Sequence, residues 1–393
     1  LENSMTDPEH SRRDLFTGEA LRREVATRQD EVAELVAGAE SFLPNCGETV
    51  VLSAVAMACD VEVILPAGPA APVAAASAAL DLVSELEGLI SVYRDDSELV
   101  RVNREAQAGW TPVEPVVYAL LDQARIWARE FDGAFDPTAG PLVALWRECR
   151  REHRLPTAEE LATALSLVGE DVVEWDPERR AIRFRRVGAA LNLNAFGKGA
   201  ALDRAGASLS GEGVRDYCLH AGHSSVLARG SSMGAASVPV PESGAIEPSG
   251  FAAGTEDGWT IGLRNPLLAH QLFARLRLTN AGLSTSGNGV QYFTVNGTRY
   301  GHLLDPRTGW PANELLAVSV VAETAAEAEA LSTAFFVLGV EKACGYCHNQ
   351  RSAAAILVPF PRGGRLLAPV VVGLSRDAVE FETGSVSRVE WRD

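Results

Sequence analysis

No apolar run in the 393-residue sequence approaches the roughly 20 residues that a bilayer-spanning helix needs, so no membrane span is expected. Cysteine is scarce. Its six copies, at 46, 59, 149, 218, 344 and 347, are too scattered for a disulfide framework and point to a reducing compartment, the cytoplasm. Positive charge is in deficit: 35 Lys and Arg face 52 Asp and Glu, a formal net charge of −17 at pH 7. Such a surface repels phosphate backbones and anionic membranes, so nucleic acid is not an expected partner. A phosphate-bearing ligand would need a metal ion or a few well-placed cations beside it. Export by a twin-arginine signal is not expected either. Ser11-Arg12-Arg13-Asp14-Leu15-Phe16 looks like a twin-arginine signal, but Leu21-Arg22-Arg23-Glu24 puts charge where an apolar segment has to follow. What is present is globular in composition, with 47% hydrophobic and 22% charged residues.

Periodicity divides the chain. Residues 1–47 are polar and read as a tail or a loosely docked helix. Residues 50–65 are strand material. Helices are predicted over 71–92, 113–131, 157–168 and 325–338, and from Gly199, where Ala200, Ala201, Leu202 and Ala205 form an apolar stripe. Strands are predicted near 171–175, 181–186, 217–220, 224–228, 259–263, 275–279, 291–295, 315–321, 353–358 and 369–373. Residues 230–257, rich in Gly, Ser, Pro and Ala, read as a flexible surface insertion, and 374–393 as a C-terminal tail, leaving one domain over 48–373. Strands and helices come in mixed runs without a βαβ rhythm, which favours an α+β fold.

Five stretches hold residues suited to chemistry, and each alone also fits a purely structural role. Glu329 and Thr333 lie four apart on the 325–338 helix, so a carboxylate and a hydroxyl share one face and offer oxygens to a hard cation. Asn192-Leu193-Asn194-Ala195-Phe196-Gly197-Lys198-Gly199 leads into a helix bearing Asp203; its small residues admit close backbone approach and Lys198 supplies a cation for phosphate. It is not a P-loop, because Gly199 stands where Ser or Thr is required. Tyr300-Gly301-His302-Leu303-Leu304-Asp305-Pro306-Arg307-Thr308-Gly309 pairs a potential acid or base, His302, with turn chemistry that could fix Arg307. Gly133-Ala134-Phe135-Asp136-Pro137-Thr138 could contact a ribose or base edge, and Tyr93 could stack on a planar ring.

In this order and spacing the stretches resemble the ApbE-like FAD:protein FMN transferases, over roughly residues 50–373. The resemblance implies a two-lobed fold of mixed, largely antiparallel sheet with packed helices and FAD in the cleft between lobes. It implies a metal, normally Mg²⁺, held by the carbonyl of Ala195 and the side chains of Glu329 and Thr333. FAD would be contacted by Met57, Tyr93, Ala134, Phe135, Asp136, Asn192, Lys198, Ala317 and Ser332, with His302 in the reacting stretch. The partner would be a target protein whose Ser or Thr hydroxyl takes FMN as AMP leaves.

The chain departs from the family where Glu329 and Asn192 replace the usual Asp, and where Ala221-Gly222-His223-Ser224-Ser225 replaces a Gly-Gly-Asp-like strand end. Many members are exported lipoproteins, whereas Leu43-Pro44-Asn45-Cys46 has no apolar run before it. Splitting of FAD by water and flavin binding without catalysis are the alternatives within the same reading. From other classes, Cys344-Gly345-Tyr346-Cys347-His348 matches a c-type haem attachment pattern but lacks an export context. Gly222-His223-Ser224-Ser225-Val226 lacks the closing Gly of a nucleophile elbow.

Overall fold

The alternation in Cys59–Pro66 sorts its side chains onto two faces: Val61, Val63 and Leu65 enter one core and Ile64 another. This two-sidedness runs through the whole architecture. The computed structural model describes residues 49–68, 71–232, 258–288, 292–361 and 364–392; the expected N-terminal tail and residues 233–257 of the expected insertion lie outside them.

Among the described residues the strands are β1 (Thr49–Ala56), β2 (Cys59–Pro66), β3 (Thr111–Pro112), β4 (Val173–Asp176), β5 (Ala181–Phe184), β6 (Tyr217–Ala221), β7 (Ser225–Arg229), β8 (Trp259–Asn265), β9 (Leu268–Leu278), β10 (Ala281–Gly287), β11 (Tyr292–Val295), β12 (Thr298–Gly301), β13 (Leu315–Ala322), β14 (Ala353–Pro359), β15 (Val370–Val372), β16 (Val379–Phe381) and β17 (Glu390–Arg392). The helices are α1 (Val73–Ile90), α2 (Glu98–Glu105), α3 (Pro115–Glu130), α4 (Gly140–Arg151), α5 (Ala158–Leu165), α6 (Gly197–Gly211) and α7 (Ala325–Gln350).

Nine strands form one sheet in the order β1-β2-β6-β7-β10-β13-β14-β15-β17, antiparallel throughout except for the β15–β17 pair. The fold is α+β with mostly antiparallel sheets. β13 lies centrally and is buried along its whole length. Its Val318, Val320 and Ala322 face a core shared with α1, α6 and α7, while Ala317 and Val321 face a second core capped by the small β16-β9-β8 sheet.

Helix α7 overruns its predicted end. Gly339, at φ 77° and ψ 179°, breaks the helical path, and a second segment continues to Gln350. A side chain there would be strained and would also meet Glu314. The second segment buries Cys344 and Cys347 in the main core, and burial pushes the Cys347 thiol up to about 12. The expectation of a C-terminal tail over 374–393 is overturned. β16 pairs with β9, β17 lies parallel to β15, and Leu374, Ala378 and Val379 are buried in the second core. These apolar residues come one or two at a time between polar and charged ones, too short a pattern to register as strands.

Candidate active site

Two helix starts and one strand turn converge on Glu329. Asp203 of α6 accepts from Ala325 N at 2.8 Å and Ala326 N at 2.9 Å, which caps α7 and fixes the two helices together. Burial raises the Asp203 pKa, against the pull of those two N–H groups. The approach is close enough that a Cβ on Gly199 would stand 2.3 Å from the Ala325 carbonyl oxygen. One turn into α7, the Glu329 side chain is buried at 5% relative exposure. Its Oε2 accepts from Gly199 N at 2.7 Å, and its Oε1 accepts from Ser225 Oγ at 3.2 Å and pairs with Lys198 Nζ at 2.5 Å. Burial works against the Lys198 ammonium, but the Glu329 charge outweighs it and holds its pKa above the usual lysine value.

Thr333 lies one turn further along α7. Its Oγ1 stands 3.5 Å from Ser286 Oγ, a long hydrogen bond in which either atom can donate. Ser332, fully buried, exchanges a 2.9 Å bond with Ser286 and donates to the Glu329 carbonyl at 3.0 Å. Among the described residues no group of three His, Cys, Asp or Glu comes together in a metal-holding arrangement. A cation held here would rest on hard oxygens with Glu329 as the carboxylate, a set that suits Mg²⁺. Ala195 lies in the turn that enters α6, three residues before Lys198.

The stretch before α6 carries the site outward. Asn194 Nδ2 donates to Tyr93 Oη at 3.0 Å, and Asn192 N donates to the Pro137 carbonyl at 2.7 Å. Tyr93, 59% exposed, carries the Arg147 guanidinium 5.0 Å from its ring centroid. Asp136 Oδ1 accepts from Thr138 N at 2.8 Å and Thr138 Oγ1 at 2.5 Å, while burial raises its pKa. Ala134 and Phe135 are buried. The Asp305–Gly309 turn packs beside this loop. A Cβ on Gly133 would meet Arg307, and Trp146 Nε1 donates to the Gly309 carbonyl at 2.7 Å. Arg307 spends its fork on Asp305, at 2.8 and 2.9 Å, rather than standing free for phosphate. His302, exposed, lies just beyond β12 in the same segment.

Met57 forms the β1–β2 turn with Ala58, both at left-handed φ (54° and 56°), so backbone strain is held beside the site. Cys59, two residues on, feels the charges of Lys198 and Glu329, and burial pushes its thiol up to about 11. Ala317 stands apart, with its side chain in the second core, on the opposite sheet face from Ser332. Sequence reasoning missed Ser225 and Ser286. Ser284 and Ser286, two apart in β10, both reach Ser332, and that period-two hydroxyl pattern was the available signal.

The sequence matches the ApbE family over residues 55–357. It is 30% identical over 298 residues to the FAD:protein FMN transferase of Klebsiella pneumoniae (strain 342), spanning 75% of this chain and 85% of that one. The corresponding figures for the FAD:protein FMN transferase of Treponema pallidum (strain Nichols) are 30% over 301 residues, 75% and 79%. Among solved structures, the ApbE protein of Thermotoga maritima has a TM-score of 0.67 at 28% identity, covering 79% of this chain and 94% of that one. The apo form of the Pseudomonas stutzeri flavinyl transferase ApbE has a TM-score of 0.66 at 26% identity, covering 85% and 96%. Fold and relatives together define an enzyme of the transferase class. The chain belongs to the ApbE family.

Proposed function

We propose that this protein is an FAD:protein FMN transferase, moving FMN from FAD to a Ser or Thr hydroxyl of another protein and releasing AMP. The observation that carries this reading is the buried Glu329, one turn from the weakly bonded Thr333 hydroxyl and in contact with Lys198. Ala195, Glu329 and Thr333 would hold a divalent cation, normally Mg²⁺, which when bound supplies positive charge to the FAD pyrophosphate. Lys198 adds a second positive charge there. Met57, Asn192, Ser332 and the main chain of Ala134, Phe135 and Ala317 orient FAD, Asp136 holds its loop, and Tyr93 offers its exposed ring to a planar face. The acceptor oxygen bonds the FMN phosphorus, the anhydride P–O bond breaks, and its electron pair leaves with AMP. The hydroxyl proton passes to His302.

Purified protein given FAD, Mg²⁺ and a Ser/Thr-containing acceptor should release one AMP per flavin bound covalently, and should stop in excess chelator. AMP release without any acceptor would make the protein an FAD hydrolase, and FAD binding without AMP a flavin-binding protein. Release that persists in chelator would remove the metal from the reaction.

A further inference from the structure

Of the 35 basic residues only two are lysines, Lys198 and Lys342. An ammonium is a compact charge on a flexible stem, where arginine presents a rigid planar fork. Lys198 turns that charge inward, 2.5 Å from Glu329 Oε1, while Gly199 N–H and the Ser225 hydroxyl take the other positions on the carboxylate. A carboxylate as buried as Glu329 cannot stand without a compensating cation. Here Lys198 is that cation.

Glu329 is also the one carboxylate in the oxygen set assigned to the divalent cation. A divalent cation taking Oε1 has to displace Lys198 from it, and a site shielded from water amplifies the repulsion between the two positive charges. Lys198 must then find another anion within reach of its stem, and the pyrophosphate of FAD brings one. We infer that Lys198 is the internal counter-ion of Glu329 in the metal-free protein, and that it is handed to the substrate pyrophosphate when Glu329 turns to a divalent cation. The inference rests on the metal and FAD assignments proposed above. Metal alone binds weakly because it has to evict Lys198, and FAD alone binds weakly because Lys198 is engaged. Each therefore strengthens the other, by the same factor in both directions.

The test measures binding rather than turnover. Calorimetric titration of FAD-free protein should show Mg²⁺ binding about tenfold or more tighter to Lys198→Met than to the native chain. FAD should bind the variant more weakly, and the mutual enhancement should shrink towards none. Unchanged or weaker Mg²⁺ binding by Lys198→Met overturns the hand-over. Because that variant leaves a buried carboxylate uncompensated, a second measurement uses the native fold. Protein labelled with ¹³Cε-lysine gives two side-chain signals, assigned by Lys342→Arg. Mg²⁺ without FAD should move the Lys198 signal and leave Lys342 in place, and FAD should move Lys198 again. A Lys198 signal that stays fixed at saturating Mg²⁺ overturns the proposal. Mg²⁺ binding undiminished in Glu329→Gln would instead strike the metal assignment itself, and the hand-over with it.

Discussion

At the scale of single residues, Glu329 and Thr333 are proposed to hold one ion. Glu329→Gln keeps size but removes charge, so the Mg²⁺ concentration for half-maximal AMP release should rise at least about tenfold, and Thr333→Val should shift it in the same direction. If both side chains hold the same ion, the double variant should lose much less than the sum of the single losses. Additive losses in a Mg²⁺ titration would show this face of α7 to be structural. Gly199 answers to a different constraint. Gly199→Ala would push a methyl into the Ala325 main chain, which cannot step aside, and should cost about 1–3 kcal/mol or more in a denaturant melt. The i, i+4 pair of Glu329 and Thr333 was legible in the sequence because helical periodicity puts both on one face. The Lys198–Glu329 contact was not, because it spans 131 positions and depends on how α6 meets α7.

At the scale of elements, α7 carries an acid under strain in its first turn. Glu327 N donates to the Thr324 cap, while its carboxyl is pushed up to about 7 by burial, with repulsion from Glu323, Glu130 and Asp203 adding to it. A folded-state pKa raised above the ordinary 4.5 means the native state holds this proton more tightly than the unfolded chain. Its contribution is therefore full below pH 4.5 and lost as pH rises through about 7. Glu327→Gln should be more stable than the native chain at pH 8, by on the order of 1–3 kcal/mol, and equal to it near pH 4.5 in urea melts at the two pH values. Long elements with strong periodicity, such as α1, α3 and α7, were legible within a few residues at their starts. Helix α2 was not, since its eight residues bury only Leu99 and Val102, and neither was β10, whose Ala-Gly-Leu-Ser-Thr-Ser-Gly carries little strand preference. β10 is a strand because β7 and β13 pair with it on both sides.

At the scale of the whole molecule, the C-terminal strands close both sheets. A chain ending at Gly373 loses β16 from the small sheet and β17 from the edge of the large one, and it uncovers part of the second core. It should fail to accumulate in soluble form, whereas a chain with a genuine tail would tolerate the cut; comparing soluble yields of the two lengths checks this. The order of the large sheet has a further consequence, and it concerns time. β2 and β6 lie side by side, Val61 opposite Ala221, yet α1–α6 and β3–β5 lie between them in the chain. Hairpins such as β1–β2 and β8–β9 can close on themselves within microseconds, but the β2–β6 seam has to wait for that whole excursion to be gathered in. The nucleotide site proposed above would straddle this late seam, with Met57 on one side and Glu329, Lys198 and Ser225 on the other. Flavin affinity should therefore be the last property to return on refolding, trailing secondary structure in a stopped-flow comparison of the two signals.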